Sequence, residues 1–120
     1  MSTRKISPRL QQYLAQLDRL QNTYVAILSQ KQNVDSQLIE VKNALSEIEK
    51  TTEEQDVYKL VGNILVKVDK ERIKNELSEL KTLLETRQKT LENEVKRLSS
   101  EIEKLNEVVT KMLKEEGLVT

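Results

Sequence analysis

The chain contains neither cysteine nor histidine. Disulfides, thiol and imidazole catalysis, and the commonest zinc ligands are thereby excluded. Phe and Trp are absent and three tyrosines are the only aromatics, so the bulky side chains that fill the core of a compact globule are missing, as are stacking platforms for nucleic acid. Two glycines and one proline leave little to interrupt regular structure, and no glycine-rich loop is present to cradle a phosphate. Neither sign of charge prevails: 20 basic and 20 acidic residues cancel, leaving no net field to recruit nucleic acid or an anionic membrane. No apolar run approaches the ~20 residues of a membrane span. The opening "MSTRKISPRL" lacks the apolar core of a signal peptide, which predicts a cytoplasmic protein. No catalytic residue, metal ligand or cofactor is expected.

What the sequence does contain is Ala, Glu, Lys, Leu and Arg, nearly half of all residues, as long helices and coiled coils require. In "ISPRLQQYL", Ser7 suits a helix N-cap and Pro8 the first helical position, where its missing N–H costs nothing. Two columns then repeat every seven residues. One is Leu10, Leu17, Tyr24, Lys31, Leu38 and Leu45; the other is Tyr13, Leu20, Ile27, Val34, Val41 and Ile48. Lys31 alone breaks them, and sustained heptads of this kind specify a coiled coil. A second helix begins after Asp69 with the column Leu77, Leu84, Leu91, Leu98, Leu105 and Met112. Its companion column starts at Ile73 and Leu80 and passes to Val95, Ile102 and Val109. This predicts an eleven-residue adjustment between Leu80 and Leu91. Glu85–Lys89, Glu92–Lys96 and Glu107–Lys111 have the spacing of helix-supporting ion pairs.

Helices over 8–50 and 70–116 would each span roughly 65–70 Å at ~1.5 Å per residue, and equal lengths joined by a short link predict an antiparallel pair. Lys31 is then expected near Gln88 and Glu92, a polar layer of the kind that fixes register. The joining segment, 57–68, is unlike its surroundings. "VYKLV" and "ILVKV" flank Gly62-Asn63, a tight-hairpin signal in which Gly62 supplies a positive φ. Pairing Val61 with Ile64, Leu60 with Leu65 and Lys59 with Val66 places Val57, Val61, Ile64, Val66 and Val68 on one face. Tyr58, Leu60 and Leu65 fall on the other. A lone two-stranded hairpin apolar on both faces is marginal in water and has open edges. The expected fold is mainly α: an antiparallel two-helix coiled coil with one β-hairpin between the helices. A single domain over 1–120 is expected, with the hairpins of several subunits joining in a shared sheet or β-barrel.

The run "VYKLVGNILVKVDKE" between length-matched heptads resembles the beta-type subunit of prefoldin, in its archaeal-like form, and the resemblance covers nearly the whole chain. Alpha-type subunits carry two hairpins in the link; here there is room for one. The resemblance implies an ATP-independent holdase chaperone. Two alpha-type and four beta-type subunits join their hairpins, hold non-native polypeptides among the distal coiled-coil ends and deliver them to a group II chaperonin. Nucleic acid and membranes are not implied as partners. Residues of the distal ends expected to meet clients are Leu10, Tyr13, Leu14, Val108, Val109, Met112 and Leu113. Closure of the intramolecular seam is the alternative use of the same residues, and Leu14 and Leu113 lie beside the seam columns. The rival reading of the whole chain is a coiled-coil scaffold or tether without client binding. An enzyme is disfavoured, because two paired helices offer no water-excluded pocket.

Overall fold

The structure, a computed structural model, describes residues 6–118; the ends of the expected 1–120 domain, 1–5 and 119–120, lie outside the described residues. Four elements follow in chain order: α1 (Pro8–Glu49), β1 (Val57–Val61), β2 (Ile64–Val68) and α2 (Lys70–Glu115). Contacts divide the chain into two compact units, Met1–Gln30 with Leu91–Thr120, and Lys31–Thr90. Each unit pairs a stretch of α1 with a stretch of α2.

In the first unit both helix ends are built by capping. Ser7 Oγ accepts the Leu10 N–H at 3.1 Å, and the Ser7 carbonyl accepts the Gln11 N–H at 3.0 Å. One orphan donor of the first turn is satisfied in this way, with Pro8 at the position that has none to satisfy. At the other end Gly117 takes φ 71°. The Leu118 N–H reaches the Leu113 carbonyl at 2.9 Å and the Gly117 N–H the Lys114 carbonyl at 3.1 Å, the paired bonds of a Schellman stop. The seam is formed by Leu10, Leu91, Leu98, Leu105 and Val109, all buried. On the surface Arg97 grips Glu94 (3.0 Å) and Glu101 (2.7 Å) one turn to either side.

In the second unit Val34, Leu38, Val41, Ile48 and Leu84 form the buried seam. Asp35 contacts Gln88 and Thr51 contacts Lys70. Residue number therefore rises along α1 as it falls along α2, and the helices are antiparallel. α1 stops where Thr51 turns both its N–H and its hydroxyl onto the Ile48 carbonyl, at 3.1 and 2.6 Å. A turn over 52–55 follows, in which Gln55 Oε1 accepts the Thr52 N–H at 2.8 Å. Lys70 Nζ donates to the Thr51 carbonyl at 3.1 Å, tying the first turn of α2 to the end of α1. Asp69 holds the N-cap position, its carbonyl accepting the Ile73 N–H at 3.0 Å.

The second seam differs from the sequence expectation. α2 presents Leu77, Lys81, Leu84 and Gln88 in one unit, and Leu91, Val95, Leu98, Ile102, Leu105, Val109 and Met112 in the other, all at least half-buried. The spacing alternates four and three throughout, so there is no eleven-residue adjustment between Leu80 and Leu91. Leu80 stands outside at 40% exposure, and Leu83 is exposed as well. The cause is that seam positions are set by geometry rather than polarity. Lys81 is half-buried, as a lysine can be when its stem covers apolar surface and its charge stays in water, and Gln88 is held by a hydrogen bond to Asp35. Among the described residues none of the three expected Glu–Lys pairs closes to ion-pair distance.

Candidate assembly hairpin and helix-end site

The hairpin pairs Val57 with Val68, Tyr58 with Lys67, Lys59 with Val66, Leu60 with Leu65 and Val61 with Ile64. Gly62 has φ 60° and Asn63 does not have a positive φ, the pattern of a type II′ turn, whose twist matches that of the flanking strands. Side chains alternate across the pleat. Val57, Val61, Ile64, Val66 and Val68 therefore share one face with Lys59, and Tyr58, Leu60 and Leu65 share the other with Lys67. Lys67 Nζ meets Asp56 Oδ1 at 3.3 Å. Tyr58, Leu60, Val61, Ile64, Leu65 and Val66 are all exposed, and only Val57 and Val68, at the base, are half-buried. Among the described residues the sheet has two strands, so each strand also leaves one row of backbone N–H and C=O groups unpaired. Six exposed apolar side chains and two free edges on a twelve-residue hairpin leave it open to pairing with a further strand.

At the base of this hairpin lies a groove of about 490 Å³, bounded by Ala44 and Ile48 of α1, Ile73 and Leu77 of α2, and Val57 and Tyr58 of β1. It was not legible in the sequence, since its walls come from three separated segments.

The expected helix-end residues divide. Leu10 has no exposed surface and Val109 only 5%; both pack into the seam and offer nothing for a client to touch. Tyr13, Leu14, Met112 and Leu113 are half-buried, and Val108 is exposed at 40%. Tyr13 also carries the Arg9 guanidinium 5.8 Å above its ring. The end is closed rather than frayed. The Ser7 N–H donates to Glu116 Oε1 at 3.1 Å, a cross-helix clamp that sequence inspection missed because Glu116 is one of many surface carboxylates. Beside Val108 a shallow hollow is bordered by Leu20 and Leu105.

The polar layer around Lys31 is centred on Asp35, a residue the heptad reading passed over. Lys31 Nζ meets Asp35 Oδ2 at 2.9 Å, and Gln88 Nε2 donates to Asp35 Oδ1 at 2.7 Å. The hydrogen bond from Gln88, then that from Lys31, hold the Asp35 carboxyl below its ordinary value, against the opposing effect of burial. Arg97, through its hydrogen bonds and then its charge, does the same for Glu94. These are stabilised carboxylates, without the raised acid or free nucleophile that catalysis needs. Among the described residues no group of side chains is arranged to hold a metal ion, and no helix is long and apolar enough to cross a membrane.

Comparison with known proteins agrees with this geometry. The family model described as prefoldin subunit matches residues 11–116. The prefoldin subunit beta of Sulfurisphaera tokodaii is 42% identical over 77 residues, 64% of this chain and 62% of that protein. That of Pyrococcus furiosus is 43% identical over 74 residues, 62% of this chain and 63% of that protein. The matched stretch thus spans a little under two-thirds of these curated relatives. The crystal structure of the prefoldin beta subunit from Thermococcus strain KS-1 superposes with a TM-score of 0.80 at 35% identity, covering 92% of this chain and 97% of that one. Two antiparallel helices around a single exposed hairpin, a family match over nearly the whole chain and relatives of one kind lead to one conclusion: the chain belongs to the prefoldin family and is of its beta type.

Proposed function

We infer that this chain is a subunit of an ATP-independent holdase chaperone. Its hairpin joins those of alpha-type prefoldin subunits and further beta-type copies in a hetero-hexamer of two alpha and four beta, the strands closing into a shared β-barrel. The distal helix ends hold non-native polypeptides and deliver them to a group II chaperonin in the cytoplasm. The observation that carries this reading is the hairpin itself: apolar on both faces, exposed, and open at both edges. A coiled coil that only tethers has no use for such an element.

Client contact falls to Tyr13, Leu14, Val108, Met112 and Leu113, with Leu10 and Val109 as the packing behind them. Methionine and leucine near a helix end adapt to the irregular apolar surface of an unfolded chain, and several subunits gripping together add avidity to weak contacts. The test is light scattering when a denatured client is diluted into the assembled complex. Changing Leu14, Val108, Met112 and Leu113 to Ser is expected to leave assembly intact and to weaken suppression of aggregation severalfold. Equal suppression by the altered and parent complexes sinks the placement of the client site. The closed end, with Leu10 and Val109 buried, favours the second reading, a scaffold without client binding. That reading is separated by the parent complex alone, which would then suppress no aggregation.

A further inference from the structure

We propose that α2 contains a built-in weak segment, residues 78–90, whose turns open locally while the helix before and after them stays formed. The observation that carries this is a ladder of threonines in "LSELKTLLETRQKTL", residues 77–91. Thr82 Oγ1 donates to the Ser78 carbonyl at 3.2 Å, Thr86 Oγ1 to the Thr82 carbonyl at 3.0 Å and Thr90 Oγ1 to the Thr86 carbonyl at 3.1 Å. Each of these carbonyls lies inside the helix, where it also accepts the N–H four residues on. A hydroxyl that shares the acceptor draws the carbonyl outward, an arrangement that slightly destabilises and bends helices. Here it falls on three successive turns. Thr23 of α1 makes the same bond to the Arg19 carbonyl at 2.9 Å, but no other threonine lies in that helix.

Packing does not make up for the ladder. Leu84 is the one buried side chain in 78–90, and the seam there otherwise holds Lys81 and Gln88. Leu80 and Leu83 stand exposed. Gln88 is tied to Asp35 by a single hydrogen bond of 2.7 Å. The next stretch of α2 is different, with Leu91, Leu98, Leu105 and Val109 all buried. Facing α2 in its own unit, α1 keeps Val34, Leu38 and Val41 buried. It is therefore α2 that yields. The surface adds no brace: among the described residues no ion pair involves 78–90, although Glu79, Lys81, Glu85, Arg87 and Lys89 lie there.

Few buried apolar contacts and solvent-exposed backbone bonds mark the parts of a protein that open first. Segment 78–90 combines both with a side-chain competitor for its own carbonyls. The consequence is a helix that gives way in its middle. Its two ends are held by other means, the Lys70–Thr51 bond at one and the Ser7–Glu116 bond at the other.

Hydrogen exchange of the full-length chain, read by mass spectrometry on peptides, tests this. After correction for intrinsic rates, amides of 78–90 are expected to exchange about tenfold faster than those of 94–105. Equal protection of the two stretches, or greater protection of 78–90, overturns the inference. The triple variant Thr82→Ala/Thr86→Ala/Thr90→Ala removes the ladder and introduces the best helix former, so it is expected to fold. Exchange over 78–90 should slow by roughly tenfold, the combined effect of three such changes at exposed helix sites. Exchange over 94–105 should stay within about twofold of the parent, because opening of 78–90 is local. Unchanged exchange over 78–90 overturns the role of the threonines. Equal slowing over both stretches also overturns it, since the gain would then belong to the whole helix.

Discussion

Single residues in this chain matter in proportion to how completely they are enclosed. Leu10 has no exposed surface, and truncation to Ala removes its side chain from a packed seam, a change that costs about 2–5 kcal/mol. Leu10→Ala is therefore expected to lower the melting temperature by several degrees, whereas Val108→Ser, at an exposed site, leaves it within a degree or so; thermal denaturation of the two distinguishes them. Asp35 gives a pH-dependent counterpart. Its carboxyl is held below the ordinary value by Gln88 and Lys31. The folded chain thus binds fewer protons at that site than the unfolded one as pH falls through the carboxylate range. The stabilisation is fully present above the unfolded value of about 3.9 and is lost as pH falls through the lower folded value. Asp35→Asn is expected to destabilise at neutral pH, and the difference from the parent should shrink as pH falls through the carboxylate range. A difference that persists in acid would assign the effect to shape rather than charge. Lys31 was legible in the sequence because it breaks an apolar column. Asp35 was not, because it stands beside the columns as one carboxylate among many.

At the scale of elements, the helices and the hairpin were legible for different reasons. Ser7-Pro8 is a chemical start signal and Gly117 a stop signal, and the chain obeys them through the Leu10–Ser7 and Leu118–Leu113 hydrogen bonds. The hairpin register was readable because Gly62-Asn63 fixes the turn, and the turn fixes every pair behind it. The second seam was misread because only apolar residues were followed, and Lys81 and Gln88 occupy seam positions without being apolar. Gly62 offers a direct test of the turn. Added bulk meets nothing within 4 Å there, so only the left-handed φ of 60° resists substitution. Gly62→Ala is expected to cost roughly 1–2 kcal/mol, the price of that conformation for a residue with a Cβ. It should show as weakened assembly with helix content unchanged by circular dichroism, and full assembly would mean that the turn can change type at no cost.

At the scale of the molecule, the sequence carried an apolar hairpin and apolar helix ends but not how those ends are finished. Burial of Leu10 and Val109 and the Ser7–Glu116 bond depend on two chain ends meeting in space, which no local pattern encodes. The groove at the hairpin base is hidden from sequence for the same reason. On the proposed reading, the parts cannot be exchanged: client residues lie where the helices end, and assembly lies in the one segment whose own helices leave it bare. The central claim is that this bare hairpin is the assembly element, and native mass spectrometry of the chain mixed with an alpha-type partner tests it most directly. The parent chain is expected to give a six-subunit complex. The Leu65→Asp/Val66→Lys variant, which would bury unpaired charges between strands, is expected to remain as free, helical subunits. A six-subunit complex formed equally well by that variant would contradict the account.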